Sequence, residues 1–202
     1  MRPPGNHFMR FLPLGAFVAA VGLAGFLLPA CPTTALAQPS RSIQVGLSAG
    51  ARSFASRLDL SSEFAGGARV GLDLGRHASL LMDAVYTTPT RTTTNAFTRV
   101  ISVRTLVQVR PLSGRLRPYA IGGLGGTLFD FEDTPDASGG TLTGGVGVEW
   151  DVRDRFALFG EGSIDWYRNR YVTYAPTGER LSISDRTTEQ IRTFGAGLLA
   201  RF

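Results

Sequence analysis

Apolar and polar residues alternate along most of this chain with a period of two. Between residues 43 and 52, the odd positions carry Ile, Val, Leu, Ala and Ala, and the even positions carry Gln, Gly, Ser, Gly and Arg. Because successive side chains of a β-strand point to opposite faces, this alternation predicts a strand with one apolar face. The pattern recurs in eight segments, which begin near residues 43, 64, 78, 101, 119, 141, 156 and 193. The chain is therefore predicted to be all-β.

The connections between these segments alternate in length. Tight turns at residues 75–77, 111–116 and 153–155 join segments two and three, four and five, and six and seven. Longer polar stretches make the other connections. In an antiparallel meander, alternate connections lie at opposite ends, so all the short turns fall at one end. This arrangement predicts an eight-stranded antiparallel up-and-down β-barrel.

Alternation alone does not decide whether the apolar face points inward, as in a soluble barrel, or outward to lipid. The spacing of aromatic residues favours lipid. Phe156 and Trp166 lie ten residues apart, as do Tyr119 and Phe129. Such a length of strand, tilted by about 45°, spans roughly 24 Å, close to the apolar band of a transmembrane barrel. We therefore expect two interfacial groups: Phe64, Tyr86, Phe129 and Trp166 at the long-loop end, and Tyr119, Trp150, Phe156 and Phe202 at the short-turn end.

The charged residues of the polar phase are then expected inside the barrel. An arginine that faces lipid at mid-bilayer costs about 2 to 4 kcal/mol, so arginines in this phase should point inward and pair with carboxylates. The predicted lumen network consists of Arg52, Arg69, Asp73, Asp83, Arg104, Glu149, Glu161 and Asp165. Eight strands enclose only enough space for side chains, so the sequence predicts a filled lumen instead of an aqueous channel.

The amino-terminal segment is predicted to be a secretory signal peptide. Arg2 and Arg10 precede an uncharged run, residues 11–28, and the sequence Ala-Leu-Ala follows at residues 35–37. This order is typical of a Sec-type signal, which divides the chain into a signal peptide, 1–37, and an outer-membrane barrel domain, 38–202. Two alternatives stay open. The run could remain as an anchor helix, or Cys31, the only cysteine, could be a lipidation site.

Composition excludes several classes of function. The predicted mature part carries nineteen arginines, no lysine and sixteen acidic residues, and this small positive excess gives no support for nucleic-acid binding. Without lysine, the glycine-rich stretches 122–126 and 144–147 cannot form a Walker-type phosphate loop. The acidic residues between positions 130 and 136 are not spaced as in an EF-hand. We therefore predict no cofactor, no metal and no catalytic residue.

The periodic strands, the stretch RPYAIGGLGG (residues 117–126) and the phenylalanine that ends the chain occur together. Over nearly the whole mature part, the chain thereby resembles the small OmpA/OmpX-type outer-membrane β-barrel family. The resemblance implies a bacterial outer-membrane location, with outer-membrane lipid and lipopolysaccharide as partners. It also implies that the barrel assembly machinery recognises the terminal strand ending at Phe202. The family usually has a second aromatic residue two positions earlier, where this chain has Ala200. The oligomeric state is left open.

Three functions stay open for such a barrel. The first is an integral membrane protein that acts through its loops on lipopolysaccharide or another outside partner. The guanidinium fork suits phosphate oxygens, and the candidate contacts are Arg168, Arg170, Arg180 and Arg186. The second is a narrow, porin-like pore. The third is a lipid A-modifying enzyme such as a deacylase, which needs a nucleophile and a base near the outer leaflet. The only mature histidine, His77, lies in a short turn at the opposite end, so we expect no enzyme.

Overall fold

The computed structural model describes residues 42–132, 137–169, 172–174, 180–183 and 187–202, and within 169–187 it describes the backbone alone. This part of the chain contains ten β-strands and one short 3₁₀ turn at Ser56–Leu58. The strands are β1 (Ile43–Phe54), β2 (Glu63–Asp73), β3 (Ala78–Thr87), β4 (Thr98–Val109), β5 (Leu116–Phe131), β6 (Ala137–Arg153), β7 (Phe156–Asn169), β8 (Val172–Tyr174), β9 (Arg180–Ile183) and β10 (Thr187–Arg201). Among these residues, no helix is long and apolar enough to cross a membrane.

Eight of the strands form a closed antiparallel barrel in the order β1-β10-β7-β6-β5-β4-β3-β2. Strands β8 and β9 pair with each other as a hairpin within the long connection from β7 to β10. Strand β10 closes the barrel against β1, where Ile43 and Phe202 exchange backbone hydrogen bonds of 3.2 and 2.9 Å. The predicted eight-stranded up-and-down barrel is confirmed.

The stagger between strands fixes the tilt of the barrel wall. Following directly paired residues once around the barrel from Pro118 leads back to β5 at Leu128, ten residues further along. With a rise of about 3.3 Å per residue and about 4.8 Å between strands, this stagger tilts the strands by about 40°. Each residue therefore advances about 2.5 Å along the barrel axis. This step allows heights on different strands to be compared.

The apolar face of the alternating strands is the outer one. On β1 and β2, Leu47 and Val70 are 69% and 54% exposed, whereas Arg52 and Arg69 are buried. Other leucine, valine and phenylalanine side chains continue this exposed apolar surface around the wall. A barrel with an apolar outside and a polar inside is the arrangement that faces hydrocarbon in transmembrane barrels.

Strand β5 has the opposite phase to the one expected from its aromatic residues. Tyr119 and Phe129 are predicted at the lipid interfaces, but they point into the barrel and are only 4% and 1% exposed, so that prediction is wrong. Arg117 shares their phase and pairs with Glu149 at 2.8 Å, which keeps this phase inside. The outward phase has leucine at positions 116, 124 and 128 and mostly proline, alanine and glycine between them, so its apolar signal is weaker than that of the aromatic residues in the inward phase.

Candidate functional site

Side chains fill the lumen in four layers along the barrel axis, and the layers are apolar and charged in turn. The first, the outer apolar layer, closes the long-loop end with Leu58, Leu60, Val100, Phe129, Tyr167 and Ile191. The Phe129 ring lies 5.0 Å from Tyr167 and 5.9 Å from Phe131 between ring centroids. Leu58 and Leu60 come from the connection between β1 and β2, so loop residues close the mouth of the barrel.

The connection that carries these leucines is tied to the connection between β3 and β4. Asp59, which adopts φ 53°, accepts hydrogen bonds from the hydroxyls of Thr92 and Thr93, and its carboxylate lies 3.6 Å from Nε of Arg91. The backbone N–H of Thr92 also donates to the Asp59 carbonyl at 3.0 Å. The hydroxyl hydrogen bonds lower the pKa of the Asp59 carboxyl below its ordinary value. Asp59 therefore links the two loops above the outer apolar layer.

The second layer, the central charge layer, is a buried network of ion pairs. Three arginines and three acids alternate in the order Arg52, Asp165, Arg104, Asp83, Arg69 and Glu161. The nitrogen–oxygen distances of successive pairs lie between 2.8 and 3.2 Å. All six residues belong to the network predicted from sequence. Charges buried this deeply persist only because each has an opposite partner.

The third layer, the inner apolar layer, follows toward the short-turn end. It consists of Leu81, Leu106, Tyr119, Ile121, Ala157, Phe159 and Leu199. Tyr119 connects it to the central charge layer, because its hydroxyl donates a 2.9 Å hydrogen bond to Glu161. Gly147 of β6 makes room for this ring, since a Cβ at that position would overlap it. Apolar residues in the inward phase were not predicted.

The fourth layer, the inner charge layer, closes the short-turn end. It consists of Asp73, Arg110, Arg117, Glu149, Asp151 and Arg201. Arg110 pairs with Asp73 at 2.6 Å, and Asp151 forms ion pairs with both Arg117 and Arg201, each at 2.6 Å. Only Asp73 and Glu149 of these six belong to the predicted network. The other four share the inward phase of their strands, which is the signal that could have identified them.

Little empty space remains between these layers. A cavity between Arg69, Asp83, Arg104, Glu161 and Ser163 has a volume of about 30 Å³. Because one water needs about 10 to 15 Å³ of such space, the cavity has room for about two waters. In the described part of the barrel, the lumen is thus filled by side chains from one end to the other.

Six of the eight predicted interfacial aromatic residues point outward. Phe64, Tyr86 and Trp166 are exposed near the long-loop end, and Trp150, Phe156 and Phe202 are exposed near the short-turn end. With an axial step of about 2.5 Å per residue, the two groups lie roughly 24 Å apart. This separation matches the apolar band of about 25 Å in transmembrane barrels.

Two arginines are exposed on the outer wall near Trp166. Arg168 of β7 and Arg192 of β10 both point outward, and Gln190, which pairs with Trp166, lies between them. Among the described residues, no carboxylate forms an ion pair with either arginine, whereas Arg99 pairs with an acid on the neighbouring strand at 3.5 Å. Arg192 was not predicted, although it shares the outward phase of Phe194, two positions further along β10.

Several predicted positions lie outside the described residues. These are the signal peptide with Cys31, and Arg170, Arg186 and the side chain of Arg180 among the candidate phosphate contacts. His77 lies in the short turn between β2 and β3, with Nδ1 2.9 Å from the carbonyl oxygen of Arg110. Where the chain is described, no group of three or more metal-ligating side chains is present.

Comparison with known proteins gives a consistent assignment. The family model for the outer membrane protein beta-barrel domain matches residues 23–202. Neisserial surface protein A is similar in structure, with a TM-score of 0.58 and 11% identity over 80% of this chain and 97% of the other. A major outer membrane protein from Thermus thermophilus gives a TM-score of 0.58 and 15% identity over 81% of this chain and 100% of the other. OprG from Pseudomonas aeruginosa gives a TM-score of 0.52 and 13% identity over 80% of this chain and 95% of the other. Such identities support the fold alone. No curated protein matches the chain.

Proposed function

The chain belongs to the outer membrane protein beta-barrel domain family, and from this premise we propose that it is a closed barrel that contacts the phosphates of lipopolysaccharide. The observation that carries the proposal is the exposed pair Arg168 and Arg192 on the outer wall beside Trp166. In this account the protein acts through its outward surface at the long-loop end. Its filled lumen conducts no solute.

The position of the two arginines favours a phosphate partner. Arg192 lies at about the height of Trp166 along the axis, and Arg168 lies about 5 Å farther out. An unpaired arginine at this depth is costly in hydrocarbon, but its planar guanidinium can bind phosphate oxygens in pairs. Lipid A carries its phosphates at the membrane surface, so its headgroup supplies the missing counter-charge. Of the four arginines predicted from sequence for this role, Arg168 is the one whose side chain is described.

The binding test uses matched arginine variants. The purified barrel, embedded in lipid nanodiscs, is titrated with intact and dephosphorylated lipopolysaccharide. Arg168→Gln and Arg192→Gln should each weaken binding of the intact form about fivefold, because an arginine near an anionic surface contributes about 1 kcal/mol. Arg99→Gln removes an arginine that already has a carboxylate partner and should change binding much less. Equal affinity of the parent protein for the two forms would contradict the proposal.

The pore alternative makes the opposite prediction about conductance. Four filled layers, two of them apolar, separate the ends of the described lumen. We expect no steady ion current when the parent protein is inserted into a planar bilayer. A regular single-channel current that scales with salt would support the pore instead. Among the described residues the one histidine is His77, in a short turn at the opposite end, so no histidine there lies near the outer leaflet to act as the base of a lipid A deacylase.

The terminal strand is the proposed signal for the barrel assembly machinery. Phe202 is 76% exposed, although its backbone is paired with Ile43, so its ring is accessible to a partner. Phe202→Ala should lower the amount of protein in the outer membrane of cells and leave refolding of purified protein into vesicles nearly unchanged. A parallel loss in both measurements would assign Phe202 to stability alone.

A further inference from the structure

We propose that the three short turns bind the phosphate groups of anionic glycerophospholipids in the inner leaflet of the outer membrane. The inference rests on the proposed function in one respect, that the barrel spans this membrane with its short turns toward the periplasm. It concerns the end of the barrel opposite to lipopolysaccharide, and a different set of arginines.

Each short turn combines arginine with exposed apolar side chains. The groups are Leu74 with Arg76 between β2 and β3, Leu112 and Leu116 with Arg115 between β4 and β5, and Val152 and Phe156 with Arg153 and Arg155 between β6 and β7. The five apolar side chains are between 44% and 62% exposed, and all four arginines are exposed. The three turns therefore repeat one arrangement, in which an apolar side chain suits the acyl region and a guanidinium suits the headgroup.

The four turn arginines have no carboxylate to neutralise them. Asp154 is the one acid within the three turns, and among the described residues none of the four arginines forms an ion pair. The acids of the adjoining inner charge layer, Asp73, Glu149 and Asp151, are already paired with the arginines of that layer. The short-turn rim thus carries a net positive charge that only an external anion can balance.

The backbone of each turn is fixed while its arginines remain free to reach outward. The Arg115 carbonyl accepts a 2.8 Å hydrogen bond from the N–H of Asp151, and the Arg155 carbonyl accepts one of 2.8 Å from Arg201. In the turn between β2 and β3, the His77 carbonyl accepts a 2.7 Å bond from Arg110. A fixed backbone lowers the conformational entropy that is lost when a guanidinium binds its ligand.

The chemistry of the partner follows from depth and charge. The turn arginines lie at the end of the barrel that carries the exposed aromatic residues Trp150, Phe156 and Phe202, at the level where phospholipid phosphates begin. A zwitterionic lipid carries its own ammonium group beside the phosphate, whereas phosphatidylglycerol presents a phosphodiester with no internal counter-charge. Arginine therefore prefers the anionic lipid, and salt should weaken the preference by screening.

Trp150 provides a reporter at this end. It pairs directly with Leu116, next to Arg115, and lies three residues before Arg153. Trp150 and Trp166 are the two tryptophans of the chain, so Trp166→Phe leaves Trp150 as the single reporter. This protein is reconstituted into vesicles of phosphatidylcholine with a minor share of phosphatidylglycerol, and bromine is placed on the acyl chains of one lipid or the other. The relative quenching of Trp150 measures which lipid is enriched beside it.

At low salt we expect phosphatidylglycerol to be enriched about fivefold beside Trp150 relative to its share of the vesicle lipid. At high salt this enrichment ratio should fall toward one. Replacing Arg115, Arg153 and Arg155 by Gln should abolish the enrichment. Arg76→Gln is the matched control, because its turn lies across the barrel from the turn between β6 and β7 and should leave the Trp150 signal unchanged. Heat-dependent gel mobility verifies that every variant is folded.

Two results would overturn the inference: equal quenching by the two brominated lipids in the parent, or unchanged enrichment in the triple variant. The triple variant should keep the parent's affinity for lipopolysaccharide. Conversely, loss of lipopolysaccharide binding in Arg168→Gln and Arg192→Gln should leave the Trp150 enrichment intact. The failure of one proposal can therefore be told from the failure of the other.

Discussion

Arg69 and Glu161, 92 residues apart in the chain, form a two-bond ion pair across the lumen with both nitrogen–oxygen distances at 2.9 Å. Arg69 lies on β2 and Glu161 on β7, and strands β1 and β10 separate the two in the barrel. The pair therefore joins strands that share no backbone hydrogen bonds. The central charge layer thus links the wall across its interior, in addition to the ladder of backbone bonds around it.

Removal of Glu161 is expected to destabilise the barrel strongly. Glu161→Gln leaves buried Arg69 with Asp83, which it shares with Arg104, and an uncompensated buried charge costs about 3 to 5 kcal/mol. The free energy of unfolding is measured by urea titration of the barrel in lipid vesicles. Asp130→Asn, which breaks the exposed pair with Arg99, should change it by about 1 kcal/mol or less. Comparable losses in the two variants would contradict the buried network.

The inward orientation of Tyr119 can be tested through the glycine beside it. Gly147→Ala places a methyl group against the Tyr119 ring and should destabilise the barrel by about 1 to 3 kcal/mol, measured by the same titration. Gly140→Ala on the same strand is the control, because nothing lies within 4 Å of a Cβ there. Combining Gly147→Ala with Tyr119→Ala should cost less than the sum of the single effects, because the overlap with the ring is removed while the close approach to the Gly160 carbonyl oxygen remains. If the effects of the two substitutions on the free energy of unfolding simply add, the Tyr119 ring does not lie against residue 147.

The loop link at Asp59 should depend on pH. Hydrogen bonds from Thr92 and Thr93 hold the pKa of the Asp59 carboxyl below its ordinary value of 3.8. A group whose folded pKa is depressed stabilises the fold above its unfolded pKa, and this contribution is lost as the pH falls through the folded pKa. The Thr92 amide, which donates to the Asp59 carbonyl, should therefore lose hydrogen-exchange protection below about pH 3.8.

Asp59→Asn is the control for the loop link. Asparagine cannot titrate, so the protection of the Thr92 amide should no longer vary with pH after correction for the intrinsic exchange rate. If the parent and the variant show the same pH profile, the carboxylate of Asp59 does not hold the two loops together.

Alternation predicts most of the wall, because a transmembrane barrel separates lipid from lumen at every second residue. Strand β5 is the exception. Four glycines, two in each phase, weaken its alternation, so the rings of Tyr119 and Phe129 dominate the pattern and predict the wrong face for lipid. Arg117 carried the correct information, since an arginine in the same phase belongs inside the barrel.

The partners within the lumen could not be predicted to the same degree. Which side chains meet depends on the stagger between strands, and the size of the stagger is set by backbone pairing around the whole barrel. The phase of Arg69 and Glu161 indicated that both point inward, but not that they meet across two intervening strands. The outer apolar layer also includes Leu58 and Leu60, which lie in a loop where no periodicity applies.

The central claim is that the apolar phase of each strand contacts acyl chains and the charged phase is enclosed. Strand β5 tests this claim most directly, because the pattern of its aromatic residues predicts that the phase of Tyr119 faces lipid, whereas the structure has that phase inside. A photoactivated carbene reagent confined to the hydrocarbon is added to the barrel in vesicles, and labelled residues are identified by mass spectrometry. We predict labelling of Leu124, Val70 and Ile164 and none of Tyr119 or Ile121. Labelling of Tyr119 and Ile121, with Leu124 spared, would contradict the account.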